Sequence, residues 1–446
     1  MIREKYFILL VTWSMVCFIA VTKGMAQDSL KTLTLEQAIA AAISGSRDIR
    51  LSKLDQHIAA ANYAQSNAIF LPQLGFSYTA MTTNNPLNAF GFKLQQKSIT
   101  ASDFNPDLLN HPSAVPDFLT KLELQQPLLN IDMIYQRKAA ARQVELYGYR
   151  TEHTEAYLSF EVQKAYMQLQ LSYEAVAVLE EALHTAKAVY AFTDNYFRQG
   201  LVQKPDLLNA QVRVSTVETQ LAKATSDVRN ASDYLSELMG QSTGVVYKAD
   251  QFNIDPRSFT DTITGISENR PDFLAIQKAI ESTEMAIRSD KMSYLPRLNA
   301  FASYQWNDNR MWGFGNNAYL AGVQLSWDIF KGTRTKHSIE AKTYEKEKWS
   351  ETLVKQKEQS TVELNKAYRQ LADARMEIQQ QQVAIEQAAE SLTILQNRYK
   401  QGLVNTTEVL MAAAQLSQQK FAWAQAVFTS GVTNAYIRFL TSSSKK

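Results

Sequence analysis

"YFRQGLVQKPDL" (residues 196–207) returns as "RYKQGLVNTTEV" (398–409), the same turn written twice, 202 positions apart. Gly200 and Gly402 suit the left-handed residue that closes a helix. Pro205 suits the first turn of the next helix, and Asn405 or Thr406 can cap its counterpart. Working back from each turn, Leu158, Val162, Ala165, Leu169, Ser172, Val176, Leu179, Leu183, Ala186, Tyr190, Thr193 and Phe197 alternate steps of four and three. The second copy runs Leu364, Ala367, Leu371, Ala374, Ile378, Gln381, Ile385, Ala388, Leu392, Leu395 and Tyr399. A 3.5-residue repeat held over this length is the pattern of supercoiled helices. Beyond each turn the seam resumes, from Leu207 to Leu238 and, more diluted, from Val409 to Leu440. Each half is therefore expected to hold a helical hairpin. Helices over 131–197 and 332–399 would each reach about 100 Å at about 1.5 Å per residue.

Upstream of the rods the period changes. Tyr319, Ala321, Val323, Leu325, Trp327 and Ile329 alternate with Leu320, Gly322, Gln324, Ser326 and Asp328. Leu298, Ala300, Ala302, Tyr304 and Trp306 alternate with Asn299, Phe301, Ser303 and Gln305, and shorter runs of the same kind centre on Phe76 and Leu122. This is strand periodicity, two strands per half, at about the 9–11 residues a transmembrane β-strand needs. Trp306 and Trp327 end the apolar face, as an interfacial aromatic girdle would. Residues 84–116 read as a long loop rich in breakers, and 307–317 as a short Asn/Gly-rich one.

Four strands cannot close a cylinder, and open edges in lipid leave backbone groups unpaired at several kcal/mol each. Copies must associate; two would give eight strands and three twelve, and pattern alone does not choose between them.

Composition narrows the function. Arg3 and Lys5 precede an apolar run from Tyr6 to Val21, then small residues before a cut at Gln27, so 1–26 reads as a signal peptide. The chain's one cysteine, Cys17, lies inside it. Of 46 Lys+Arg and 44 Asp+Glu, the first 26 residues hold three and one, leaving 43 of each. That balance favours no polyanion and no nucleic acid. His57, His111, His153, His184 and His337 show no metal-ligand spacing, the twelve methionines are scattered, and nucleophile elbows and phosphate loops are absent. No metal, no cofactor and no catalysis are expected.

The ordered set "LTLEQAIAAAISGSRDIR" (33–50), "LELQQPLLN" (122–130), "NRPDFLAIQKAI" (269–280), "YLPRL" (294–298) and the two Gly-Leu-Val turns resembles the TolC-like outer-membrane efflux proteins. The resemblance implies a homotrimer, with a twelve-stranded outer-membrane β-barrel continuous with a twelve-helix periplasmic α-barrel. The chain divides accordingly into 1–26, a first repeat 27–240, an equatorial linker 241–266, a second repeat 267–440 and a polar tail 441–446. The implied task is passive exit of substrates delivered by an inner-membrane pump through a periplasmic adaptor, in efflux or type I secretion.

Gly200, Leu201, Val202, Gly402, Leu403 and Val404 would then lie at the periplasmic tips, six turns per trimer, offered to the adaptor. The family's gate positions fall on Asp206, Tyr399 and Glu408, while its arginine and second acid are replaced by Val404 and Met411. The rival reading is a secreted coiled-coil scaffold without channel activity, which explains the heptads but not an apolar strand face ending in tryptophan.

Overall fold

The computed structural model describes residues 31–250 and 265–444. The signal segment 1–26, most of the linker 241–266 and the last two residues of the tail lie outside the described residues. In chain order the elements are β1 (Lys31–Thr32), α1 (Leu35–Gly45), α2 (Arg47–Gln65), β2 (Gln73–Thr83), α3 (Pro86–Gln95), α4 (Pro106–Asn110), β3 (Val115–Leu129) and α5 (Ile131–Arg198). Then follow α6 (Lys204–Leu238), β4 (Tyr247–Lys248), α7 (Pro271–Met292), β5 (Arg297–Asp308), β6 (Asn316–Ser326), α8 (Arg334–Lys400) and α9 (Thr406–Thr441). The chain divides into two compact units.

One unit comprises the described parts of Met1–Leu51, Glu152–Arg270 and Glu358–Lys446. Its core is the heptad seam. Leu158, Val162, Ala165 and Leu169 on α5 are buried with Val228 and Leu235 on α6, Met239 just past its end, and Ala38 and Ala42 on α1. Further along α5 and α6, Leu179, Ala182, Val217 and Ala224 form a second cluster. On the other hairpin Leu364, Ala367 and Leu371 pack with Ile437 and Leu440, and Ile378 with Ala426 and Val427. Phe197, the last residue of the expected α5 seam, is instead exposed. Thr193, the seam position before it, and Val189, beside the seam, are buried there.

Local chemistry sets the helix ends. Thr34 and Gln37 exchange a capping box at the start of α1, with Oγ1 accepting from the Gln37 amide at 3.3 Å and Oε1 from the Thr34 amide at 3.2 Å. Gly240 closes α6 at φ +66° so near α1 that an added Cβ would lie 2.1 Å from the Gly45 carbonyl oxygen.

The other unit, Ser52–Thr151 with Pro271–Lys357, is built on a four-stranded antiparallel sheet in the order β2-β3-β5-β6. The register fixes two chemically distinct faces. Phe76 pairs with Leu122, Leu122 with Tyr304 and Tyr304 with Tyr319; two residues along, Leu74, Leu124, Ala302 and Ala321 do the same. The alternate rows hold Ser77, Lys121, Gln305 and Ala318, then Gly75, Glu123, Ser303 and Leu320. One face is thus an apolar stripe and the other largely polar. β2 and β6 are open edges.

Two expectations need correction. Alternation suggested a strand over 319–329, but β6 runs Asn316–Ser326 because its partner begins at Arg297, which pairs with Ser326 and leaves nothing to continue the ladder. The breaker-rich stretch 84–116 contains α3 and α4. Its Asn-Pro pairs start helices: Asn85 Oδ1 accepts from the Asn88 amide at 3.2 Å and Asn105 Oδ1 from the Asp107 amide at 3.0 Å, each with proline next in the first turn.

Candidate functional site

The two Gly-Leu-Val turns are built alike. Gly200 has φ +74° and Gly402 φ +73°. The Leu201 amide reaches back to the Tyr196 carbonyl at 2.9 Å and the Leu403 amide to Arg398 at 3.0 Å, while the Gly200 and Gly402 amides bond Phe197 and Tyr399, each at 2.9 Å. This paired pattern closes a helix on a left-handed residue, and an added Cβ at either glycine would meet nothing within 4 Å.

The apolar residues of the turns divide by exposure. Leu201 and Leu403 are 64% and 62% exposed. Val202 is half-buried, and Val404 packs onto the cluster of Val189, Leu392, Tyr399, Val409 and Leu416. Met411 is exposed at the start of α9.

The two acidic residues after the turns differ in engagement. Asp206 Oδ2 accepts from the Gln203 amide at 3.2 Å, capping α6. In the second turn Asn405 does the capping, accepting from the Glu408 amide at 2.9 Å. The Glu408 side chain is thereby exposed, with no hydrogen bond or ion pair among the described residues.

Tyr399 is buried, and its hydroxyl lies 2.7 Å from Thr193 Oγ1 and 2.8 Å from Thr406 Oγ1. Thr193 gives its own proton to the Val189 carbonyl at 2.7 Å. A hydroxyl has one proton to give, so Tyr399 donates to Thr193 and accepts from Thr406. The relay Thr406, Tyr399, Thr193, Val189 joins α9, α8 and α5. Phe192 packs on Tyr399 at 5.0 Å between ring centres, and the Tyr196 hydroxyl donates to the Lys400 carbonyl at 3.1 Å. In the sequence Thr193 shows only as a heptad position and Thr406 only as a candidate cap, a role that Asn405 takes; neither announces the relay.

In the sheet unit, Trp306 and Trp327 stand near opposite ends of the apolar face. Trp306 lies edge-on to Tyr304 at 4.7 Å and to Phe314 at 6.1 Å. Trp327 follows the last residue of β6 and donates from Nε1 to the Tyr294 carbonyl at 2.9 Å. Trp312, which sequence reasoning missed, stacks on Tyr78 at 4.5 Å with φ +59°, a backbone state no pattern announces for tryptophan. Among the described residues no helix is long and apolar enough to cross a membrane, and no group of three His, Cys, Asp or Glu is placed to hold a metal ion.

Comparison with known proteins agrees with this architecture. The model of the outer membrane efflux protein family matches residues 38–241 and 263–427. The chain is 21% identical over 400 residues to the alkaline protease secretion protein AprF of Pseudomonas aeruginosa, covering 85% of this chain and 80% of that one. It is 23% identical over 276 residues to the cation efflux system protein CusC of Escherichia coli O157:H7, covering 61% of this chain and 54% of CusC. A crystal structure of CusC superposes with a TM-score of 0.77 at 16% identity, covering 95% of this chain and 96% of that one. The CmeC outer membrane channel of Campylobacter jejuni gives 0.76 at 16% identity, covering 91% and 85%. With the family model spanning both repeats, the chain belongs to the outer membrane efflux protein family, the TolC-like exit ducts that serve efflux and secretion systems in the outer membrane.

Proposed function

We propose that three copies of the chain close one conduit, a twelve-stranded barrel through the outer membrane with twelve helices beneath it, and that the Gly-Leu-Val turns are the docking points of a periplasmic adaptor. The observation that carries this reading is the open sheet with one apolar and one polar face and two unpaired edges. A soluble scaffold would leave that apolar stripe in water, whereas a barrel puts it against lipid and pairs β2 of one copy with β6 of the next.

Leu201 and Leu403 supply the grip, since they are the exposed apolar tips, while Val202 and Val404 serve mainly to seal the turns. Glu408 sets the charge of the mouth: brought together around one axis, its free carboxylates attract cations and repel anions. Asp206 contributes less, being engaged as a cap, and Tyr399 acts by holding the start of α9 against α5 and α8. The pump upstream selects the cargo, and the chain supplies passage without catalysis.

Leu201→Asp with Leu403→Asp tests the docking. Both side chains are exposed, so heat-modifiable oligomers should persist in the outer membrane while pump-dependent export falls at least about tenfold, the effect of losing on the order of 1.4 kcal/mol of binding. Undiminished export would remove the turns from the docking surface.

A further inference from the structure

The geometry points to a second constriction, made by the segment between β2 and β3, which folds over the polar face of the sheet at its loop end and limits what can leave the conduit there. Asp117 carries it. This carboxylate is 0% exposed and Asn307 beside it 2%, on a sheet whose residues are mostly exposed or half-buried, and it sits at the polar-face position opposite Met81.

Its two oxygens are each claimed by an amide. Gln96 Nε2, just past α3, donates to Oδ1 at 2.9 Å and to the Pro116 carbonyl at 2.8 Å. Asn307 Nδ2, in the polar-face row of β5, donates to Oδ2 at 2.9 Å. Asn316, at the polar-face start of β6, donates to the Gln96 carbonyl oxygen. Residues from three strands thus converge on the end of α3.

The segment is also braced internally. Lys93 Nζ on α3 lies 2.7 Å from Asp103 Oδ1, and Asp103 Oδ2 accepts from the Thr100 amide at 2.7 Å and its hydroxyl at 2.9 Å. A connection needed only to link two strands requires no buried carboxylate. A buried charge held by two side-chain amides fixes a position, because removing a donor leaves it stranded.

The inference rests on the reading that the polar face lines the conduit. If it does, α3 and its anchor lie inside the outer rim, where three copies narrow the exit. Gln96, Asp117 and Asn307 are positioning residues: they hold the segment, and the segment sets the bore.

The test is access from outside whole cells carrying the full chain with Ser303→Cys on the polar face, using a small membrane-impermeant maleimide and a bulky polyethylene-glycol maleimide. A parallel chain carries Ala321→Cys on the apolar face, and the chain without either substitution gives the background. The small reagent should label Ser303→Cys and spare Ala321→Cys; the reverse would overturn the assignment of faces and the conduit with it. Given correct faces, the bulky reagent should be largely excluded, and adding Asp117→Ala should raise its labelling severalfold without changing that of the small one. Gln96→Ala, outside the sheet, should act in the same direction should Asp117→Ala fail to assemble. Equal labelling by the bulky reagent with the anchor intact and removed would overturn the constriction and leave the conduit standing.

Discussion

At the scale of single residues, the two turns share Gln-Gly-Leu-Val and one backbone conformation but differ in the side chain that caps the helix after them. Both glycines take the same left-handed backbone with open space around them, so Gly402→Ala should cost only backbone strain, about 1–2 kcal/mol, read as a lower midpoint in denaturant. Tyr399→Phe removes the middle of the hydroxyl relay and strands the Thr406 hydroxyl, which is buried. A loss of about 1–3 kcal/mol is expected by the same measurement, and a change within error would show the relay to be idle. Glu408→Gln should leave stability unchanged, since the side chain is exposed and unpaired among the described residues, and should lower cation over anion permeability in reconstituted bilayers. The two closing glycines were legible because a left-handed turn tolerates little else. The relay was not, because hydroxyl pairing depends on how three helices meet, which no periodicity records.

At the scale of elements, the heptads and the alternation announced the long helices and the four strands, since each pattern reflects one face repeatedly buried or matched. Boundaries depended on partners instead. β6 stops where β5 offers no further backbone, and the Asn-Pro pairs of 84–110 begin helices although proline and asparagine alone suggest a loop. The apolar and polar rows of the sheet predict an asymmetry. Val323→Arg on the apolar face should destabilise the protein refolded into bilayers by up to about 2–4 kcal/mol, and Gln324→Arg, on the other face, by much less.

The brace within the α3–α4 segment predicts a pH window. The hydrogen bond from Lys93, then those from the Thr100 amide and hydroxyl, hold the Asp103 carboxyl down at about 2. Because the folded value lies below the ordinary carboxylate value of about 3.9, the contribution is complete above that value and is lost as pH falls through about 2. Amide exchange in α3 should therefore be slower in the wild type than in Asp103→Asn at pH 5, with the difference shrinking below pH 4 and vanishing only below about pH 2.

At the scale of the whole molecule, one copy of the chain is an incomplete surface. Four strands bring two open edges and an apolar stripe that water does not suit, and family membership places the chain in the outer membrane. The number of copies was not legible in the sequence, since strand pattern fixes the need for partners and not their count. Native mass measurement of the detergent-extracted protein, joined to current recording on the same preparation in a planar bilayer, tests the closed conduit most directly. Three chains per particle and stepwise ion current are predicted; a single chain that stays dispersed without detergent and passes no current would contradict it.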